Sequence, residues 1–560
     1  MGFLRLSDYP GDYQSIRLSS FILKIPANNP EYAEMTIESH KPDNGLEDFD
    51  EITDIIVVGY GFAGGASAIA AADAGREVLL LEKMAVPGGI SICSGGGLRV
   101  AADADKAFEY LSATNAGTID TGLLRHFANE MAELPRHFAE LAKINGAKIA
   151  TLDRPANYPL PGYETFRFIE IESIPGFDAA REYPRARSLK AGVNAFKVVD
   201  DNVRARPGIE VRLGCAAQRL LRNAAGEVVG LEVRSGRQVA RLGARCAVIL
   251  ACGGFEAGVE MQRQHWQIHP VLPAATLGNT GDGIRMGQAL GADIAHMWHF
   301  HGSYGFRHTD PAYPFGIRSK KLPDWTPGVT EATVPMTWIL LDRDGRRFMN
   351  EYEPYAHDTG HRYMDRYDAT RNRFPALPAF MVFDEEGRKR YPVAKSFIND
   401  PDIDVYEWSQ DNLREVELGI LKRADTLEDL ARQMQVPAAT LRQTLDQWNE
   451  SCRTGAEDRF GRPAATRVPI AQPPYYFGEI WPVVSNTQGA LVHDTRQRVL
   501  TPHGEVIPRL YVAGEIGSIW GFLYLSGGNL AECFISGRIA GTDAATREPL
   551  ELEQQTSSID

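Results

Sequence analysis

The sequence predicts an α/β protein organised around a parallel sheet, and three observations carry that prediction. Residues 54–82, DIIVVGYGFAGGASAIAAADAGREVLLLE, read as a strand, a glycine turn, an alanine-rich helix and a second strand. A Gly-rich αβ pattern returns near the end of the chain, in LYVAGEIG (510–517) and LSGGNLAECFISGRIAG (525–541). Between them, from about residue 301 to 470, lies a block of different character. A domain that closes with its own strand and helix after such a block is one interrupted by an insertion.

The first element is a complete dinucleotide-binding βαβ unit. An apolar run ends at Val58 and enters a turn carrying Gly59, Gly61 and Gly64. The first glycine allows the sharp turn, the second lets backbone approach a pyrophosphate, and the third lets helix and strand pack closely. The helix N-terminus then presents partial positive charge to the phosphates. Glu82 ends the second apolar run, where a carboxylate can accept hydrogen bonds from ribose hydroxyls.

Residues 1–50 are polar and lack sustained periodicity, which predicts an arm laid over a domain surface. Residues 51–300 carry the nucleotide motif and a second αβ region. Within it, 208–233 reads as a β-meander with a hairpin turn at Ala225-Gly226, and 244–258 as a buried strand running into glycines. The 301–470 block is rich in aromatics, prolines and short strands, followed by a helical stretch from Thr426 to Ser451. Thr426 and Asp429 form a capping pattern, Leu427, Leu430, Ala431 and Met434 share a face, and Val436-Pro437 breaks the helix. Residues 471–560 return to the first domain.

Composition narrows the function. A formal charge of −14, from 59 basic and 73 acidic residues, disfavours nucleic acid or an anionic membrane as partner. No apolar run is long enough to span a bilayer, and the first residues lack a signal peptide's layout, so a cytoplasmic location is expected. The six cysteines form no CxxC pair, so they read as reduced core thiols rather than metal ligands.

Five motifs, VVGYGFAGG, LLLEKMAVPGGISICSGGG, ILACGGFEAG, TGDGIRMGQALGA and LYVAGEIG…GGNLAE…GRIAG, resemble those of the fumarate reductase and 3-ketosteroid dehydrogenase superfamily of FAD flavoproteins. The resemblance covers nearly everything after residue 50. It implies a Rossmann-like FAD-binding domain of glutathione-reductase type interrupted by an α+β cap, or catalytic, domain. It implies FAD contacts from Gly59, Gly61, Phe62, Ala63, Gly64, Glu82, Lys83, Gly88, Gly89, Ser91, Ser94, Gly95 and Gly96. Ala251, Gly253, Gly254, Asp282, Gly514, Glu515, Asn529 and Leu530 complete that set. Membrane-bound relatives attach FAD through a histidine after the second motif's glycine pair. GGISICSGGG has none, so non-covalent FAD is expected. No second glycine fingerprint marks an NAD(P)H site, which leaves the external electron acceptor open.

The stretch 337–358, TWILLDRDGRRFMNEYEPYAHD, is shared with these enzymes, and the resemblance aims Arg347, Asn350 and Glu351 at the active site. Arg347 matches a proton donor of fumarate reductases. Two other fumarate-binding positions are altered, with Ser485 replacing a histidine and Leu525 an arginine. A dicarboxylate needs cationic partners at both ends, so fumarate reduction is disfavoured. Tyr524-x-Ser526-Gly527 is instead similar to the Tyr-x-Ser-Gly of 3-ketosteroid 4-dehydrogenases, and Tyr355 falls at another catalytic tyrosine, with Tyr352 as its alternative.

The resulting expectation is α,β-dehydrogenation of a 3-oxosteroid or a smaller alicyclic ketone. Tyr524 and Ser526 take the α-proton, Tyr355 assists or binds the carbonyl, and flavin N5 takes the hydride. An ene-reductase acting on a small unsaturated acid, with Arg347 as acid, and a non-catalytic flavin carrier are the alternatives. His296, His299 and His301 match no motif and read as satisfied core or cap histidines.

Overall fold

Gln238–Leu250, a 13-residue strand, is the axis of the first of two eight-stranded sheets in the computed structural model of the protein. The structure describes residues 13–18, 21–26, 49–187, 191–320, 322, 334–353 and 355–553. Residues 1–45 and 46–560 form two compact units. In the first, Tyr13–Leu18 and Phe21–Pro26 pair antiparallel, a feature the polar arm did not announce. The rest of the expected arm lies outside the described residues, apart from Phe49 and Asp50.

In the larger unit, the first half of Gln238–Leu250 pairs antiparallel with Val228–Ser235. Its last residues lie between two parallel neighbours, Glu51–Val58 and Val506–Val512. Ala247, Val248, Ile249 and Leu250 are therefore fully buried, which is why this stretch reads as an unbroken apolar run. Along Glu51–Val58, Ile55 and Val57 enter one core while Ile56 and Val58 enter the other. Side chains of a strand alternate between its faces, so a continuous apolar run serves both. Val78–Leu81 and then Ile209–Arg212 continue the sheet in parallel.

This last pairing corrects the meander expected over 208–233. Ala216–Arg222 and Val228–Ser235 do form the hairpin, with Gly226 in its turn at φ +81°. Ile209–Arg212 leaves it for the opposite edge of the sheet.

Because the central strands are parallel, their carboxyl ends share one edge, and each runs into a predicted motif: Gly59, Glu82, Ala251 and Gly514. Ligands of open α/β sheets bind at that edge. Gly59 sits at φ +103°, and a Cβ there would lie 2.4 Å from the Ala251 carbonyl oxygen. A Cβ on Gly64 would fall 1.8 Å from the Gly59 oxygen, so the helix Phe62–Asp73 reaches the strand only without side chains. The closing helix, Gly528–Ala545, packs on that first helix, and Gly541 approaches the Ser67 carbonyl so closely that a Cβ would sit 2.2 Å away. The two ends of the motif set are thus brought face to face.

The second sheet runs Ile339–Leu341, Ala379–Asp384, Tyr475–Thr487, Phe300–Arg307, Gly316–Ser319, Ala394–Lys395. Its 13-residue central strand, Tyr475–Thr487, lies beyond the boundary at 470 expected from sequence. Thr426 caps its helix as expected, its hydroxyl accepting the Asp429 N–H at 3.1 Å. Leu430, Met434, Leu441, Leu445 and Trp448 from Leu427–Met434 and Ala438–Thr454 bury against Ile339, Leu341, Phe380 and Val382 of this sheet. A third, three-stranded sheet of Leu98–Ala101, Phe166–Ser173 and Lys148–Leu152 stands beside them. No helix among the described residues is long and apolar enough to cross a membrane, and they hold no group of His, Cys, Asp and Glu suited to a metal.

Candidate active site

The glycine loops at the carboxyl edge of the first sheet open into a cavity of 790 Å³. Its floor comes from Gly59, Gly61, Phe62 and Ala63, and its far wall from the second sheet through His301, Arg318, Ser485 and Asn486. Leu152 and Phe168 of the small sheet close one side. Three separate sheets therefore contribute to one space.

At the nucleotide end, Glu82 accepts the N–H of Tyr60 at 3.0 Å and that of Met84 at 2.8 Å. Burial raises its pKa above the ordinary carboxylate value, against the lowering by those N–H groups. Lys83 Nζ reaches Asp282 at 2.6 Å and Thr280 at 2.8 Å, which ties the second motif to the fourth. Ser91 accepts the Phe62 N–H at 3.2 Å and so holds the loop after Val78–Leu81 against the helix start. Further along, Glu515 accepts the Thr487 N–H and hydroxyl and stands beside buried Glu256. Burial lifts both carboxyls above their usual range, Glu515 to about 7.

The opposite end is an aromatic cluster. Tyr355 Oη lies 3.0 Å from His301 Nε2, and His301 Nδ1 lies 2.9 Å from Asn486 Oδ1. The Asn486 Nδ2 donates to the Thr487 carbonyl, which leaves Oδ1 facing the imidazole. Nδ1 then carries the ring proton and Nε2 accepts the proton of Tyr355. The His301 ring also packs 4.1 Å from the ring of Tyr524. The Tyr524 hydroxyl accepts the Asn529 N–H at 3.1 Å, and its own N–H donates to buried Asp358. Burial pushes the Tyr524 phenol above its ordinary pKa, so it is held neutral.

Most residues expected from sequence meet here. Tyr355, Tyr524, Ser526, Gly89, Ser94, Gly95, Gly253, Asp282, Glu515, Asn529 and Leu530 line the cavity, with the floor and Glu82, Lys83, Ser91 and Ala251. Gly64, Gly88, Gly96, Gly254 and Gly514 stand behind the wall, where they permit close packing; a Cβ on Gly254 would meet Thr487 Oγ1 at 1.7 Å. Tyr352 packs instead in the core of the second sheet, so of these two candidates Tyr355 is the one at the cavity.

Three expectations differ from the geometry. Arg347 does not line the cavity: it donates to Glu351 at 2.7 Å and Asp458 at 2.6 Å, and stacks 4.5 Å above Trp448. Its neighbours Asn350 and Glu351 are likewise absent from the lining. An Asp-Gly turn carries that segment into the second sheet's own core rather than toward the cavity. Next, no hydrogen bond joins Tyr524 to Ser526 among the described residues; the Ser526 backbone is clamped by Asn157 and Arg99. Finally, His301 is satisfied at both ring nitrogens, yet it lines the cavity and stands at the centre of the aromatic cluster rather than in a core. Periodicity could not reveal it, because nearly every residue of Phe300–Arg307 is buried and the strand shows no alternation between an apolar and a polar face.

Residues 54–530 match the family described as FAD binding domain. The chain belongs to this FAD binding domain family. Among relatives of this FAD-binding chain, a fumarate reductase (cytochrome) of Shewanella frigidimarina is 26% identical over 501 residues, 88% of this chain and 77% of that protein. A 3-oxosteroid 1-dehydrogenase of Mycolicibacterium smegmatis is 27% identical over 576 residues, 88% and 97% of the two chains. The mixed α/β fold is similar to the 3-ketosteroid delta1-dehydrogenase of Sterolibacterium denitrificans, with a TM-score of 0.70 at 22% identity over 88% of this chain and 99% of that one. It is an FAD-dependent oxidoreductase of the fumarate reductase and ketosteroid dehydrogenase family.

The residues present fit FAD. Gly61 faces the cavity, where a Cβ would already meet Ser91 Oγ at 3.0 Å. Both polar atoms of the Asn529 amide, and the Ser485 hydroxyl, are buried at the cavity wall without a hydrogen-bond partner among the described residues. Buried polar atoms rarely stay unpaired, so these point to a polar ligand.

Proposed function

We propose that this chain introduces a C=C bond α,β to a ring ketone, with a 3-oxosteroid or a smaller alicyclic ketone as substrate. In this reading the sheet around Gln238–Leu250 is a Rossmann-like FAD-binding domain, and the sheet around Tyr475–Thr487 is its α+β cap. FAD is held without a covalent bond, since the segment from Gly88 to Gly97 contains no histidine.

One observation carries the reading: the Tyr355 hydroxyl is 3.0 Å from His301 Nε2 inside the cavity. A phenol is a poor base at neutral pH, with an ordinary pKa of about 10. Passing its proton to His301, whose other nitrogen is held by Asn486, lets Tyr355 receive the α-proton of a substrate. Tyr524 then takes the role of donor. Its hydroxyl accepts from Asn529 and keeps its own proton free to bond the ketone oxygen, where negative charge develops as the α-proton leaves. This exchanges the roles expected from sequence, because burial favours the neutral Tyr524 while His301 gives Tyr355 a proton acceptor. Bound FAD supplies a hydride acceptor for the β-hydrogen. Ser526 orients the turn through its backbone.

Reduction of a small unsaturated acid is a second reading, favoured by the buried Arg318 at the cavity wall. Arg347 is engaged elsewhere, so the acid in that reading would be Tyr355. Anaerobic addition of a saturated 3-oxosteroid or of a simple cyclohexanone to holoenzyme separates the readings. Bleaching of the flavin by either ketone supports desaturation. An enzyme that stays oxidised with ketones, yet is reoxidised by an enoate after chemical reduction, is the reductase. One that responds to neither is a carrier.

A further inference from the structure

Asp358 joins the two segments that carry Tyr355 and Tyr524. It belongs to the single helical turn Ala356–Thr359, directly after Tyr355. The Tyr355 carbonyl accepts the N–H of Asp358 at 2.9 Å, and both the N–H and the hydroxyl of Thr359 at 3.1 Å, so this turn fixes the Tyr355 backbone. The Asp358 side chain is fully buried and reaches the other tyrosine, where Oδ2 accepts the Tyr524 N–H at 2.9 Å. The same oxygen accepts the Tyr158 hydroxyl at 2.7 Å, while Oδ1 takes the Arg362 guanidinium at 3.0 Å. One oxygen serves position and the other balances charge. Tyr158 follows Pro155, Ala156 and Asn157 of the cavity wall, and Asn157 accepts the Ser526 N–H at 2.9 Å.

Tyr524 lies in irregular backbone between Gly514–Ile516 and Gly528–Ala545. Its N–H has no strand or helix to enter, and a buried N–H needs an acceptor. Asp358 supplies one. The rings of Tyr355 and Tyr524 stand 6.2 Å apart. In desaturation one hydroxyl meets the proton on the α-carbon while the other meets the ketone oxygen of the same rigid ring. The spacing of the two phenols is therefore a requirement of the chemistry, and a misplacement of about 1 Å costs on the order of 10²-fold. We propose that Asp358 is a positioning residue that sets the separation of Tyr355 and Tyr524. Its own turn fixes the first, and its Oδ2 fixes the second. A buried carboxylate is costly, yet an apolar side chain here would leave the Tyr524 N–H and the Tyr158 hydroxyl without this acceptor. This rests on the desaturation reading for what the two phenols do, and on the contacts of Asp358 for how they are held.

The test is binding of 4-chlorophenol to oxidised holoenzyme, without turnover. Its ring replaces the substrate ring, and its ionised oxygen stands in for the enolate oxygen that meets Tyr524. Kd is read by calorimetry and by the long-wavelength charge-transfer band of a phenolate stacked on flavin. Asp358→Asn keeps an oxygen for the Tyr524 N–H and loses only the charge, whereas Asp358→Ala loses both. The alanine variant is expected to bind at least about 10-fold more weakly than the asparagine variant. With Tyr524→Phe added to each, that ratio should fall below about 2-fold, because the contact acts through the Tyr524 hydroxyl. Should Asp358→Ala not load FAD, Tyr158→Phe decides the matter. It leaves Asp358 and Arg362 in place and should raise the Kd about 3-fold, the scale of one hydrogen bond, only while Tyr524 is present. An unchanged Kd there overturns the proposal. So do equal binding by the asparagine and alanine variants, a ratio that survives Tyr524→Phe, or a parent enzyme that binds no phenol. The outcomes stay separable from those of the ketone reading. Ketones that bleach the flavin of an enzyme whose asparagine and alanine variants bind phenol alike leave desaturation standing without this role. Phenol binding coupled between Asp358 and Tyr524, in an enzyme that no ketone bleaches, leaves the role standing without desaturation.

Discussion

His301 Nε2 lies 3.0 Å from the hydroxyl of Tyr355, and the same ring packs 4.1 Å from that of Tyr524. One histidine thereby links the two tyrosines that sequence motifs had nominated separately. The link makes their roles unequal: one phenol has a proton acceptor, and the other is buried as a neutral donor.

Tyr355→Phe and His301→Gln should each retain FAD and cut the rate of flavin reduction by a saturated ketone about 10²-fold or more, the scale of lost general-base help. The double variant should be little worse than the worse single one, since the two groups act as a unit. Tyr524→Phe should also slow reduction, by weakening stabilisation of the enolate oxygen. Ser526→Ala should have a small effect, because its hydroxyl is not bonded to Tyr524. Stopped-flow reduction of the five variants checks this; a normal rate in Tyr355→Phe with a collapsed rate in Ser526→Ala would return the α-proton to Tyr524 and Ser526.

Gly61→Val should abolish FAD binding while leaving the far-ultraviolet dichroism unchanged. Its side chain would enter the cavity where Ser91 Oγ is already 3.0 Å from a Cβ. In the unsubstituted protein, acid precipitation should release all yellow colour as FAD into the supernatant. Colour left in the pellet would mean a covalent bond.

Arg347→Met should act on stability rather than chemistry. Glu351 is buried, and burial raises its pKa, but Arg347 and Arg462 overcome this and leave it below the ordinary carboxylate value. Removing Arg347 leaves that buried carboxylate with Arg462 alone and takes the cation from Asp458, at a cost of about 3–5 kcal/mol in urea denaturation. The folded pKa is depressed, so the stabilisation is present above the ordinary carboxylate range and disappears as pH falls through the folded value. The gap between variant and parent should therefore close toward acid. Loss of turnover with unchanged stability would return Arg347 to the reaction.

Glu256→Gln should stabilise the protein, increasingly so as pH rises. Burial, then the nearby Glu515 carboxyl, holds Glu256 well above its ordinary pKa. A folded pKa above the unfolded one means the unfolded chain gives up its proton first, so stability falls as pH rises past the unfolded value. A neutral amide removes that slope and still accepts from Asn279, which bonds Glu256 Oε1 at 3.1 Å. Melting temperatures of holoenzyme at pH 4 and pH 7.5 test it; equal shifts at both would show that Glu256 does not change its proton count on unfolding.

The nucleotide end of the site was legible in the sequence because its determinants are local. Gly59, Gly61, Gly64 and Glu82 owe their roles to a turn, a helix start and a strand end within 29 residues. A buried parallel sheet also forces apolar runs such as Ala247–Leu250, so a buried strand could be read there without contacts. The substrate end was legible only as residue types. Tyr355, Tyr524 and Ser526 were found by motif, but the proton route depends on which atoms touch, and those come from strands and turns far apart in sequence. His301 went unrecognised because its strand is buried along almost its whole length and gives no periodic signal, and Asn486, its partner, is 185 residues away. Arg347 was misplaced for the converse reason. Its sequence surroundings match a catalytic segment, yet the partners that claim it, Glu351 and Asp458, are set by the packing of the second sheet. Local pattern determines where a backbone turns and which face is apolar; only tertiary packing decides which polar atoms share a desolvated space, and that sharing sets both pKa and role.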